Sequence, residues 1–112
     1  MQRIDVMPSV VQSEQRILIP VELKAVEAEE KNIIQIQRYI DWIEQYYIPN
    51  RQSDIQPVLV AKKIADKRSN AYRQLIDSFN RFNKTNKSRC AKLRYVEFDL
   101  DDGGLSFEAV SY

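Results

Sequence analysis

Asp5, Glu22 and Lys24 are the residues of this sequence whose types and spacing best suit chemistry. Glu22 and Lys24 stand two apart in the run RILIPVELK (residues 16–24), whose length and β-branched content suit a strand, so both fall on one side of it. If that strand pairs as a hairpin with the short segment carrying Asp5, two carboxylates and one ammonium converge. The carboxylates, with a backbone carbonyl such as that of Leu23, are hard oxygen donors suited to Mg²⁺ or Mn²⁺. A metal held there activates water and neutralises charge building on a phosphodiester, while a lysine beside it positions the nucleophile or stabilises the transition state. Asp5, Glu22 and the Leu23 carbonyl are thus the expected metal ligands, and Asp5, Glu22 and Lys24 the expected catalytic set. The same three side chains also suit a cross-strand salt bridge, and alone they do not separate the two readings.

The elements that must position them follow from periodicity. Residues 3–7 are apolar-rich and closed by Pro8, which reads as a strand, and the polar stretch 12–15 turns the chain. In the next strand Ile17, Ile19, Val21 and Leu23 alternate with Leu18, Pro20, Glu22 and Lys24. Pro20 has no N–H to give a ladder, so this strand is expected near an edge. Residues 27–47 form the clearest helix, with Ile33, Ile36, Ile40, Ile43 and Tyr47 in one stripe and Gln35, Tyr39, Trp42 and Tyr46 beside it. Pro49 stops it, and 50–54 is a polar loop. Residues 55–64, with PVLVA, read as a buried strand. Ser69 is the expected N-cap of a second helix over 70–84, buried through Tyr72, Leu75, Ile76, Phe79 and Phe82. Residues 92–100 and 105–110 read as strands joined by the turn DDGG. The expected fold is one α/β domain over 1–112 with a mixed sheet and flanking helices, in the order β-β-α-β-α-β-β. The second strand should reach the third by a crossover through the long helix.

Composition excludes several chemistries. Histidine is absent, which removes Ser-His-Asp and Cys-His triads and imidazole acid–base work. The two glycines are adjacent, so neither a dinucleotide fingerprint nor a phosphate-binding P-loop exists. A lone Cys90 forms no internal disulfide and fits a reducing, cytoplasmic setting. No stretch approaches the length of a membrane span.

The segments QRIDVM, ILIPVELKA and QIQRYIDWI, taken in order, resemble the R-I-D, (V/I)-E-L-K and Q-x-x-R-Y-x-x-W segments of the RecB-like (QxxxY) branch of the PD-(D/E)XK nucleases. The likeness is closest to the catalytic domain of archaeal mismatch-cleaving endonucleases, and its motifs span residues 2–43. It implies a restriction-endonuclease-like core, divalent-metal-dependent hydrolysis of DNA, and a link to DNA repair. By the resemblance Asp5 is the first metal-binding carboxylate, Glu22 the second and Lys24 the catalytic lysine. Gln35 and Tyr39 become the helix pair that contacts DNA and steadies the site. The usual N-terminal helix and strand ahead of the R-I-D segment are missing here, as is the separate DNA-binding and dimerising domain. A second copy, another subunit or a longer polypeptide is therefore expected to complete the protein.

Between Asp77 and Glu97 lie six basic residues and no acidic one, although the net charge is only +1. Arg81, Lys84, Lys87 and Arg89 from this run are the expected phosphate contacts, because spaced cations track a nucleic-acid backbone without reading bases. Lys62, Lys63, Lys67 and Arg68 form a second basic cluster. The expected activity is a Mg²⁺-dependent endonuclease acting on DNA. The alternative is a nuclease-fold module that binds DNA or a partner protein with little or no cleavage, and a third reading is a structural subunit pairing through the Trp42 and Tyr46 stripe.

Overall fold

The structure, a computed structural model, describes residues 9–12, 15–46 and 55–112, with side chains from Leu18 onward except that of Tyr46. Strands β1 (Ser9–Gln12) and β2 (Gln15–Leu18) form an antiparallel ribbon, and a second sheet is built from β3 (Val21–Glu27), β4 (Val58–Lys62), β5 (Arg94–Asp101) and β6 (Gly104–Val110). Helix α1 (Glu30–Tyr46) links β3 to β4, and α2 (Asn70–Thr85) links β4 to β5. The first three strands of that sheet are parallel and β6 returns antiparallel.

This is an α/β fold with a mixed four-stranded sheet in the order β-α-β-α-β-β, which corrects the expected β-β-α-β-α-β-β. The single strand expected over 16–24 divides at Ile19–Pro20 into β2 and β3. Proline offers no N–H, so the ladder breaks there; the Pro20 carbonyl still accepts from Val58 N at 2.9 Å and the Leu18 carbonyl from Gln56 N at 2.8 Å. β2 pairs with Ser9–Gln12, Gln12 standing opposite Gln15, while residues 13–14 of the expected turn lie outside the described residues. The expected strand at 3–7, Tyr47, the Pro49 helix stop and the loop over 50–54 lie outside the described residues.

Both parallel connections are crossovers between neighbouring strands, and such crossovers take one hand, so both helices cover the same face of the sheet. α1 buries Ile36, Ile40 and Ile43, continuing the stripe N-terminally with the fully buried Asn32, whose Oδ1 accepts from Glu29 N at 2.8 Å at the head of the helix. α2 buries Leu75, Phe79 and Phe82. Between these helices and the sheet lie Leu59, Ala61, Leu93 and Tyr95, with the Phe79 ring 5.1 Å from that of Tyr95 and 5.2 Å from that of Tyr112. Cys90 is buried too, and that burial pushes its thiol up to about 11, so it is not a nucleophile at neutral pH. No helix among the described residues is long and apolar enough to cross a membrane.

Ser69 caps α2 as expected, its hydroxyl accepting from Tyr72 N at 3.1 Å. Ser69→Ala should therefore lower the unfolding free energy by about 1 kcal/mol in urea titration, whereas Ser69→Asp, which keeps an acceptor, should lower it by much less. The DDGG turn also forms: Asp101 pairs with Gly104, Gly103 N donates to Asp101 Oδ1 at 2.8 Å, and Gly104 takes φ +107°, a conformation suited to glycine.

Candidate active site

Glu22 sits one residue into β3, opposite Leu59 of β4, which is itself opposite Tyr95 of β5. This row faces the helices, and the Glu22 side chain is 1% exposed. Leu23 turns to the other face and Lys24 is half-buried, so burial alternates as the two-residue spacing of Glu22 and Lys24 predicts. The register with β4 shifts between Leu23 and Glu27, so a strand irregularity lies within residues 24–26, the stretch that Lys24 begins. Such bulges re-aim the side chains around them.

Gln35 and Tyr39 are half-buried on α1. Gln37 and Asp41 mark the flank of α1 that is turned towards α2, because Gln37 bonds to Asn86 and Asp41 to Arg89. At about 100° per residue, Gln35 and Tyr39 lie on the opposite flank, the one on the β3 side. The fold thus brings Glu22, Lys24, Gln35 and Tyr39 to one border of the sheet. Asp5 lies outside the described residues, and among those residues no three His, Cys, Asp or Glu side chains cluster as a metal set.

The basic run is divided in its duties. Arg81, Lys84 and Lys87 are exposed, Arg81 on the wall of a groove of about 540 Å³ between the helices. Arg89 is committed elsewhere: its guanidinium bonds Asp41 at 2.7 Å, Glu44 through Nε, and Asn86 Oδ1 at 3.2 Å. Burial alone lowers the Arg89 pKa, but bonds to Glu44 and Asp41 more than offset it and hold the charge in place. Asn86, buried at the C-cap of α2, completes this clasp through its Nδ2, which donates to Gln37 Oε1 at 2.6 Å and to the Phe82 carbonyl at 2.8 Å. Arg89→Ala should lower stability by no more than about 1 kcal/mol, since both carboxylates face water. In salt-dependent DNA titrations it should matter less than Lys84→Ala or Lys87→Ala.

A buried polar centre that the sequence reading did not single out lies on β5. Glu97 is 5% exposed and accepts from Lys67 Nζ at 2.6 Å, Tyr95 OH at 2.7 Å and Ile64 N at 3.1 Å. Lys67 also donates to the Ile64 carbonyl at 3.1 Å, so one of the four cations of the second basic cluster is tied inward. The Y-x-E spacing in a strand was the available signal, since it sets an acid and a phenol on one face.

No protein-family model, curated protein or solved structure matches the chain. Its functional reading therefore rests on these residues and their placement.

Proposed function

We propose that this chain is a restriction-endonuclease-like core of the PD-(D/E)XK type, a divalent-metal-dependent endonuclease that hydrolyses DNA phosphodiester bonds. The observation that carries the reading is the position of Glu22. An ionisable carboxylate held at 1% exposure on the border strand, two residues before a lysine on the same side, is the kind of placement found at functional sites. Lys24 follows it two residues on, at the start of the stretch where the register with β4 shifts, and the Gln35 and Tyr39 flank of the next helix lies toward the same border.

The donor chemistry fits a hard divalent ion: Glu22 and the Leu23 carbonyl, with Asp5, offer oxygens only. Bound Mg²⁺ or Mn²⁺ supplies Lewis acidity and a lowered pKa for water at the scissile phosphate. Lys24 stabilises charge on the attacked phosphate, and Gln35 and Tyr39 hold the strand beside it by hydrogen bonds. Arg81, Lys84 and Lys87 add sequence-independent attraction for the backbone.

The test is incubation of the chain with plasmid and with single-stranded, flap and mismatched DNA in Mg²⁺ or Mn²⁺. Internal cuts that disappear with EDTA are expected. Absence of cutting on every substrate would refute the catalytic reading. Salt-sensitive binding that is indifferent to metal and to Glu22→Gln would instead identify a DNA-binding module.

A further inference from the structure

Charge is sorted around α1. Its acidic side chains Glu30, Asp41 and Glu44 fall on the flank turned toward α2, where Arg89 takes the last two. Lys31, Gln35, Arg38, Tyr39, Trp42 and Gln45 share an arc of about 120° facing outward and toward β3, and none of them is acidic. Trp42, the chain's one tryptophan, is 50% exposed, although an indole is a side chain that folding usually buries. Arg38 is exposed one turn before it and forms no ion pair among the described residues, while Lys31, at the N-terminal end of the arc, is paired with Glu29 at 3.2 Å. Because β3 and β4 are parallel, α1 returns along β3. From Glu27 back to Glu22 the strand spans about 17 Å, and from Glu30 to Trp42 the helix spans about 18 Å, so Trp42 comes back to the level of Glu22.

We propose that Trp42 is a stacking platform for an unpaired base, so that the site takes single-stranded DNA, including the single-stranded arm of a branched substrate. The inference rests on the nuclease reading and names its substrate. Inside a duplex both faces of a base are covered by its neighbours, so only an unpaired base can lie on a ring that projects from a helix. An exposed indole one turn from an exposed guanidinium offers what a single strand requires: the ring takes the base and the cation its phosphate. Carboxylates would repel that phosphate, and the arc carries none. Arg38 and Gln45 stand beside Trp42 at helical spacing, polar groups that suit a base and its phosphate better than the apolar centre of a protein interface. Gln35 and Tyr39, on the same stripe, give hydrogen-bonding groups that keep the strand beside Glu22 and Lys24.

With one tryptophan in the chain, its emission reports this position alone. In Ca²⁺, an oligothymidylate of about 15 nucleotides should quench the emission of the wild-type chain strongly, whereas a hairpin-closed duplex of equal length should leave it nearly unchanged. Followed by the anisotropy of a labelled strand, Trp42→Ala should bind the single strand roughly 10-fold more weakly and the duplex within about twofold of wild type, and Trp42→Phe should recover most of the loss. Circular dichroism checks the fold of both variants, and the quenching measurement needs neither. Quenching by duplex as deep as by single strand, or emission that shifts with protein concentration alone, would overturn the proposal. Cleavage of DNA by a chain whose emission no DNA quenches would overturn the platform and leave the nuclease reading standing. Quenching by the single strand in a chain that cuts nothing would refute the catalysis and leave the platform as a binding site.

Discussion

Lys24→Ala should slow metal-dependent DNA cleavage roughly 1,000-fold while leaving the fold intact, the loss typical when one preorganised electrostatic partner of a transition state is removed. Lys24 is half-buried on β3, next to the register shift, and is not among the side chains that make up the buried hydrophobic cluster of the described residues. Its removal therefore separates chemistry from stability. Glu22→Gln keeps the volume of a side chain that is 1% exposed and removes only its charge. Its expected signature differs: the metal concentration for half-maximal cleavage rises, and saturating Mn²⁺ recovers part of the rate. Single-turnover cleavage against metal concentration distinguishes the two. If Lys24→Ala cuts as wild type does, the assignment of β3 as the catalytic strand fails. DNA affinity measured in Ca²⁺ should change little in either variant, because the exposed cations Arg81, Lys84 and Lys87 supply most of it.

Glu97→Ala should be the most destabilising of the polar substitutions, costing about 3 kcal/mol and lowering the melting temperature by roughly 10–15 °C. One carboxylate there serves Lys67, Tyr95 and the backbone N–H of Ile64, and its loss strands all three donors. The cost stays at the lower end for a broken buried pair because Lys67 keeps 36% of its side chain in contact with water. Burial by itself raises the Glu97 carboxyl, but bonds from Lys67, Tyr95 and Ile64, with the Lys67 charge, outweigh it and hold the pKa below its ordinary 4.5. A depressed carboxylate pKa contributes stability fully above the unfolded value and loses it as pH falls through the folded one. Acid unfolding of the wild-type chain should therefore steepen below about pH 4.5, and Glu97→Gln should flatten that part of the curve. An unfolding midpoint for Glu97→Gln with the same acid limb as wild type would refute this account.

The two helices were legible because their signals are local. The stripe Ile36, Ile40 and Ile43 and the stripe Leu75, Phe79 and Phe82 each repeat at the helical period, and Ser69 stands where a cap must. The closing hairpin was legible for the same reason, since adjacent glycines at 103 and 104 permit the turn. The candidate pair Glu22 and Lys24 needed only the two-residue repeat of a strand. Pro20 also signalled an edge, and β3 is a border strand among the described residues, yet the split of one strand into β2 and β3 depended on residues 56–58 arriving alongside, with Val58 and Gln56 as donors.

Other features belonged to the tertiary structure alone. Residue order cannot say which face of β5 the helices cover, and the pattern by itself favours Val96, Phe98 and Leu100. The crossovers placed α1 and α2 on the other side, so Tyr95 and Glu97 became core and the more apolar set became the open face. Long-range pairing likewise tied Lys67 to Glu97 thirty residues away and Arg89 to Asp41 and Glu44. That removed two cations from the free basic surface. Charge in the sequence counts residues; their partners, and hence which charges remain available to a phosphate, are set by the packing of one helix on another.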